Sequence, residues 1–84
     1  MNEEKLRQQI IETLLDIAPD IEIANLDPAV SFHDQFEIDS VDFLNFVLAL
    51  EKKLGIKISE INYPKLSSLK GCISYLTVEL AKEP

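Results

Sequence analysis

The 84-residue chain has no tryptophan, one cysteine, one histidine and two glycines. Each shortage removes a class of function. The lone thiol of Cys72 cannot close an internal disulfide, and with His33 as the single imidazole no His/Cys zinc site can be assembled. Nothing near Cys72 in the sequence would lower its pKa, so it reads as a small core residue, and His33 reads as a loop-surface residue. Two isolated glycines, Gly55 and Gly71, make no phosphate-cradling loop, and no Ser/His/Asp arrangement is present. The chain is therefore not expected to be an enzyme. No apolar run approaches the roughly 20 residues that span a bilayer, and no charged-then-apolar leader precedes the domain. A cytoplasmic protein without membrane insertion is expected. No repeat or low-complexity segment is visible, and residues 1–84 are expected to form one monomeric domain with a modest core.

Positive charge is also scarce, and unevenly so. The formal net charge is −7. Residues 1–40 hold two basic side chains, Lys5 and Arg7, against ten acidic ones, whereas six lysines face five acids from Val41 on. An acidic first half repels phosphate, which argues against nucleic-acid binding. It suits salt-sensitive docking onto basic patches of partner enzymes, although surface charge also serves solubility alone.

What the chain does have is helical periodicity. Residues 2–18 carry Leu6, Ile10, Leu14 and Ile17 on one stripe, widened by Ile11 and Leu15. Asn2 can cap this helix, Glu3 and Glu4 suit its positive end, and Pro19 stops it. Residues 19–38 form a long connection anchored by Ile21, Ile23, Leu26, Val30, Phe32 and Phe36. Asp27-Pro28 and Ser31-x-x-Asp34 are plausible starts of a short helical turn within it. The loop is expected to cross back so that the helices on either side run roughly antiparallel. Residues 36–54 place Val41, Leu44, Val47, Leu48 and Leu54 at spacings of three and four, the apolar stripe of an amphipathic helix, with Gly55 as its stop. With Asp39 as N-cap, Asp42 completes an approximate capping box, and Ile38 and Phe43 take the positions of a hydrophobic staple. Ser59 can cap a short helix through about residue 63, soon ended by Pro64. Ser67 or Ser68 caps a last helix to about residue 82, with Leu69, Cys72, Ile73, Leu76 and Leu80 apolar. Gly71 inside it costs about 1 kcal/mol relative to Ala, which close packing against another backbone would explain.

Asp39-Ser40, then Val41 and Asp42, then a helix running through Ala49-Leu50-Glu51, resembles the modification site of acyl carrier proteins. Gly55-Ile56-Lys57-Ile58, Leu66-Ser67-Ser68-Leu69 and Ile73-Ser74-Tyr75-Leu76 continue the resemblance, in order, over nearly the whole chain. It implies an all-α, four-helix bundle: three main helices, one short one, and a long loop between the first two. It implies that a phosphopantetheinyl transferase moves the 4′-phosphopantetheine of coenzyme A onto the Ser40 hydroxyl, Asp39 helping to place the metal in the transferase complex. The resulting thiol would carry acyl groups as thioesters to acyl-handling synthase enzymes with basic docking patches. Val41, Asp42, Asn45, Leu48, Glu51 and Glu60 match partner-facing positions. Phe46, Val47, Leu50, Ile58, Ile61, Leu66 and Cys72 match the lining of an acyl pocket, with Phe43 and Tyr63 bulky at its mouth.

The sequence departs from that pattern in places. Glu37-Ile38 stands where a glycine is usual two residues before the Asp-Ser pair, and Val41 replaces a leucine. Asn45, Lys52 and Lys53 replace acids of the best-known members. These departures favour a dedicated partner set, polyketide-type or otherwise specialised, over general fatty-acid synthesis. Two other readings stay open: a carrier of aminoacyl or peptidyl groups, and a small helical adaptor that is never modified.

Overall fold

The computed structural model describes residues 2–82, and every regular element among them is helical. Helix α1 spans Glu3–Ile17, a four-residue α2 spans Phe32–Gln35, α3 spans Ser40–Leu54 and α4 spans Leu69–Ala81. Two 3₁₀ segments, Ile23–Asn25 and Glu60–Leu66, fill the connections. This is the all-α bundle that the sequence predicts, with α1, α3 and α4 as the main helices and Glu60–Leu66 as the short one.

Local chemistry sets the helix ends. The Asn2 side chain accepts the Lys5 N–H at 2.8 Å, Ser31 that of Asp34 at 3.2 Å, and Ser68 that of Gly71 at 3.0 Å. Gly55 closes α3 at φ +68°, the one positive φ among the described residues, and its N–H donates to the Glu51 carbonyl at 2.9 Å. Gly71 is needed for a different reason: a Cβ there would collide with the Lys65 carbonyl oxygen, so α4 could not lie against the 3₁₀ helix. Two details differ from expectation. Ser59 makes no side-chain cap, although its carbonyl accepts the Asn62 N–H at 2.9 Å. Pro64 lies inside the short helix, which runs to Leu66, because the ring's fixed φ suits a 3₁₀ turn.

The long connection is not slack. An Asx turn forms at Asp27, whose carboxylate accepts the Ala29 N–H at 3.0 Å. The Gln35 amide clamps it, accepting from Asp27 N–H at 2.9 Å and donating to the carbonyls of Asp27 and Val30 at 2.8 and 2.9 Å. Phe32 N–H donates to the Ser67 carbonyl and Lys70 N–H to the Pro28 carbonyl, at 2.7 and 2.9 Å, tying the loop to the start of α4.

The core joins Leu6, Ile10 and Leu14 of α1 to Phe46, Val47 and Leu50 of α3 and to Leu69, Cys72 and Leu76 of α4. Phe32 enters from the loop and packs edge-on against Phe46, ring centroids 5.5 Å apart. Thr13, the buried polar residue, spends its hydroxyl on the Gln9 carbonyl at 2.7 Å. The close backbone approaches are those of α1 with α3, α1 with α4, and α4 with the 3₁₀ helix, so side chains fill the interior between α3 and α4.

The stripe predicted for α3 is only half right. Val47 is buried and Leu54 half-buried, but Val41, Leu44 and Leu48 are 65%, 43% and 46% exposed. Phe46 and Leu50 take the core instead, with Phe43 packed partly against it. Apolar residues occur nearly all the way round this helix, so spacing could not choose the buried side.

Candidate functional site

Ser40 is the first residue of α3 and is exposed. Asp39 precedes it as an extended N-cap, and its carboxylate accepts the Asp42 N–H at 2.8 Å. Asp42 returns a weak bond, accepting the Asp39 N–H at 3.5 Å; Asp is one methylene shorter than the usual Glu of a capping box. The Phe43 N–H already bonds to the Asp39 carbonyl, and the Asp42 N–H is capped. The amides of Ser40 and Val41 precede any intrahelical acceptor and sit at the positive end of the helix dipole.

The approach to Ser40 is braced without a glycine. Ile38 is buried, its N–H donates to the Phe36 carbonyl at 3.0 Å, and φ stays negative at Glu37 and Ile38. His33, in α2, is 2.7 Å from the Ile38 carbonyl through Nδ1. A carbonyl only accepts, so Nδ1 carries the hydrogen. The same ring lies 5.5 Å from that of Phe43, in the second turn of α3. His33 is at the surface, but it also links α2 to the start of α3, a role that sequence gave no sign of. Beside the site a groove runs between the end of α1 and the start of α3. Asp20, Glu22, Glu37 and Asp42 are among its lining, along with Ile17, Ile21 and Phe36. The Ser40 end of the molecule is thus strongly acidic.

The expected partner-facing residues separate into two groups. Val41, Asn45, Leu48 and Glu60 are exposed, and Asp42 is half-buried in the capping box. Glu51 is half-buried, and one of its carboxylate oxygens accepts the Ile58 N–H at 2.6 Å, closing the loop after α3.

The expected pocket residues also separate. Phe46, Val47, Leu50, Leu66 and Cys72 have at most 1% of their surface exposed, and Ile58 is nearly as buried. They form packed core. Ile61 does not belong with them: it is 83% exposed on the 3₁₀ helix, so its placement in the lining is corrected. Phe43 and Tyr63 are half-buried against the core, and Phe43 lies between His33 and Phe46, 6.3 Å from the latter. The Cys72 thiol donates to the Leu66 carbonyl at 3.2 Å, and burial pushes its pKa far above the ordinary value. Such a thiol is no nucleophile at neutral pH. Among the described residues no helix is long and apolar enough to cross a membrane, and no cluster of side chains could hold a metal.

Comparison with known proteins points the same way. A family model described as "Phosphopantetheine attachment site" matches residues 7–75. The chain is 26% identical over 80 residues to polyketide-8 synthase acyl carrier protein 2 of Streptomyces avermitilis, covering 95% of this chain and 86% of that one. It is 33% identical over 73 residues to an acyl carrier protein of Campylobacter hominis, covering 87% and 86%. Its fold matches a solution structure from Anaplasma phagocytophilum, of a candidate acyl carrier protein, with a TM-score of 0.81 at 21% identity, over 94% of this chain and 92% of that one.

Proposed function

The chain belongs to the phosphopantetheine-attachment family of acyl carrier proteins, and from that premise we propose that Ser40 is the residue on which its prosthetic group is carried. The family makes it a carrier rather than a catalyst, with 4′-phosphopantetheine held covalently and a phosphopantetheinyl transferase and acyl-handling enzymes as partners. The observation that supports Ser40 is its position: an exposed hydroxyl on the first turn of a rigidly capped helix. The site fits such a group. Oγ is free to form the phosphodiester, the neighbouring amides and helix dipole favour its negative charge, and the carboxylates of Asp39 and Asp42 are held by the capping box. Their charge repels the phosphate and favours an arm that stands away from the helix end. When bound, the group supplies a terminal thiol for acyl thioesters, chemistry that no side chain of the site provides. Loading is tested by incubating the protein with coenzyme A, magnesium and a broad-specificity transferase and weighing the product. One added phosphopantetheine supports the reading, and none with several transferases overturns it.

We further propose service in a specialised acyl pathway, polyketide-type or similar, carried out in the cytoplasm by the monomer. Asn45, Lys52 and Lys53 support this, since they thin out the acidity of the helix that follows Ser40. The acyl group found on protein isolated from its native cell is the test. An ordinary series of growing fatty acyl chains would count against it, as would an aminoacyl group, which makes the chain an aminoacyl carrier. Cargo shelter belongs between α3 and α4, where Phe46, Val47, Leu50, Leu66 and Cys72 now touch. Each methylene moved there from water contributes about 0.8 kcal/mol. Because Phe43 and Tyr63 narrow the entrance in this reading, melting temperature should stop rising after a short acyl chain. A rise that continues with every added carbon would exclude the gate.

A further inference from the structure

His33 is the one imidazole of the chain, and its ring is tied to both flanks of Ser40. On the near side it grips the peptide that leads into the N-cap. That peptide is a single planar unit, with the Ile38 carbonyl at one edge and the Asp39 N–H at the other. Its two bonds are unequal. His33 Nδ1–H donates to the Ile38 carbonyl at 2.7 Å, whereas the Asp39 N–H reaches the Asp42 carboxylate at 3.5 Å. The short bond therefore sets the tilt of the plane, and the tilt aims Asp39 at its capping partner. On the far side the same ring lies 5.5 Å from that of Phe43, tilted by 52°. The Phe43 N–H donates to the Asp39 carbonyl at 3.0 Å, so this ring rides on the residue that closes the first turn of α3. Ser40 lies between the two grips.

The platform behind His33 is firm. Ser31 caps α2, Phe32 is fully buried against Phe46 and donates its N–H to the Ser67 carbonyl, and Gln35 clamps the loop before it. The stretch from that platform to Ser40 has less to hold it. It contains no glycine, φ stays negative, and the backbone is extended at Phe36 (φ −133°, ψ 161°) and at Asp39 (φ −90°, ψ −179°). Between them the Ile38 N–H donates to the Phe36 carbonyl two residues back, an inverse γ-turn centred on Glu37. That turn ends at the Ile38 N–H, so the direction of the Ile38 carbonyl is left to His33. Water can satisfy the same carbonyl, but water is not anchored to α2. The bond thus contributes direction more than stability.

Resting on the carrier reading of Ser40, we propose that His33 is a positioning residue for loading: through the Ile38–Asp39 peptide and the Phe43 ring it fixes where the Ser40 hydroxyl stands. In the loading step Oγ bonds to the phosphorus that bears pantetheine. The bond from that phosphorus to the adenosine side of coenzyme A breaks, adenosine 3′,5′-bisphosphate leaves with the electron pair, and the hydroxyl proton passes to water. Attack at a bound phosphorus is sensitive to small displacements of the attacking oxygen. Loss of the His33 grip therefore slows the step itself, while the outer surface that a transferase touches stays as it is.

The test uses the full-length protein with coenzyme A, magnesium and a broad-specificity transferase, and measures initial rates over a range of carrier concentrations. Wild type is weighed first: if it gains no phosphopantetheine, the carrier reading falls and this proposal with it. His33→Phe keeps a ring on Phe43 and removes the donor. It should lower kcat about tenfold and leave KM for the carrier within about twofold. His33→Asn puts an amide N–H close to the place of Nδ1 and should recover kcat to within about threefold of wild type, although it loses the ring. A role in packing alone predicts the opposite order, with the Phe variant the better substrate. Both melting temperatures should stay within about 4 °C of wild type. The wild type also decides without any variant: nitrogen NMR of its neutral His33 ring should find the hydrogen on Nδ1. The proposal is overturned if wild type loads and His33→Phe loads with the same kcat, if the loss lies in KM, if His33→Asn is no better than His33→Phe, or if the neutral ring carries its hydrogen on Nε2.

Discussion

The two sides of α3 are almost equally apolar and do opposite things. Phe46, Val47 and Leu50 point inward and are at most 1% exposed, whereas Val41, Leu44 and Leu48 point outward and are 43% exposed or more. Hydrophobicity alone does not distinguish them. What separates them is company: the inner side meets α1, the loop residue Phe32 and the side chains of α4, and the outer side meets water. Leaving one side of a helix apolar and bare costs solubility, a cost that contact with other molecules would offset.

The sharpest way to break this comparison is a matched pair of truncations. Leu50→Ala should cost about 3 kcal/mol in urea unfolding, since it empties a fully buried site, while Leu48→Ala should cost under about 0.5 kcal/mol. Enzyme turnover of the acylated protein should fall the other way round at temperatures where both variants are folded. Equal destabilisation by the two would dissolve the distinction.

The two glycines give the next contrast. Gly71→Ala should cost about 2 kcal/mol because its new methyl meets the Lys65 carbonyl, which belongs to a helix that cannot yield without repacking. Gly55→Ala has open space around its Cβ but keeps φ +68°, so about 1 kcal/mol is expected from backbone strain alone. Thermal unfolding of both variants checks the order.

A smaller effect separates neighbours at the end of α3. Glu51→Ala leaves the half-buried Ile58 N–H without its acceptor and should cost about 1 kcal/mol, with Glu51→Gln recovering most of it. Lys52→Ala, one residue on, should leave stability within about 0.5 kcal/mol. If Glu51→Ala is silent in stability but impairs enzyme turnover, then Glu51 serves contact with partners rather than bracing of the loop.

Much of this was legible in the sequence because it is local. Asn2, Ser31, Asp39, Ser68 and Gly55 act on backbone groups within a few residues of themselves, and residue type with spacing identifies each. Gly71 was legible for a related reason: its helix penalty called for a close approach, and the Lys65 carbonyl supplies it. The contacts that escaped are those joining separate stretches. Gln35 reaches back eight residues to Asp27, Glu51 reaches seven forward to Ile58, and Phe32 reaches the Ser67 carbonyl. No periodicity encodes such bonds. The wrong side of α3 has a physical cause as well, since a helix with leucine, valine or phenylalanine on nearly every side has no apolar face that sequence can single out. Ile61 failed for a different reason: resemblance placed it in the lining, whereas the 3₁₀ helix of this chain turns its side chain to solvent.

The measurement closest to the centre of the account is the location of the modification. Wild type and Ser40→Ala are incubated in parallel with coenzyme A, magnesium and a broad-specificity transferase, then weighed intact and after digestion. The account predicts one phosphopantetheine on the wild-type peptide that contains Ser40, and no change in Ser40→Ala although its folding is unaltered. A Ser40→Ala protein that still gains the group, or a wild-type protein modified at another serine, would contradict it.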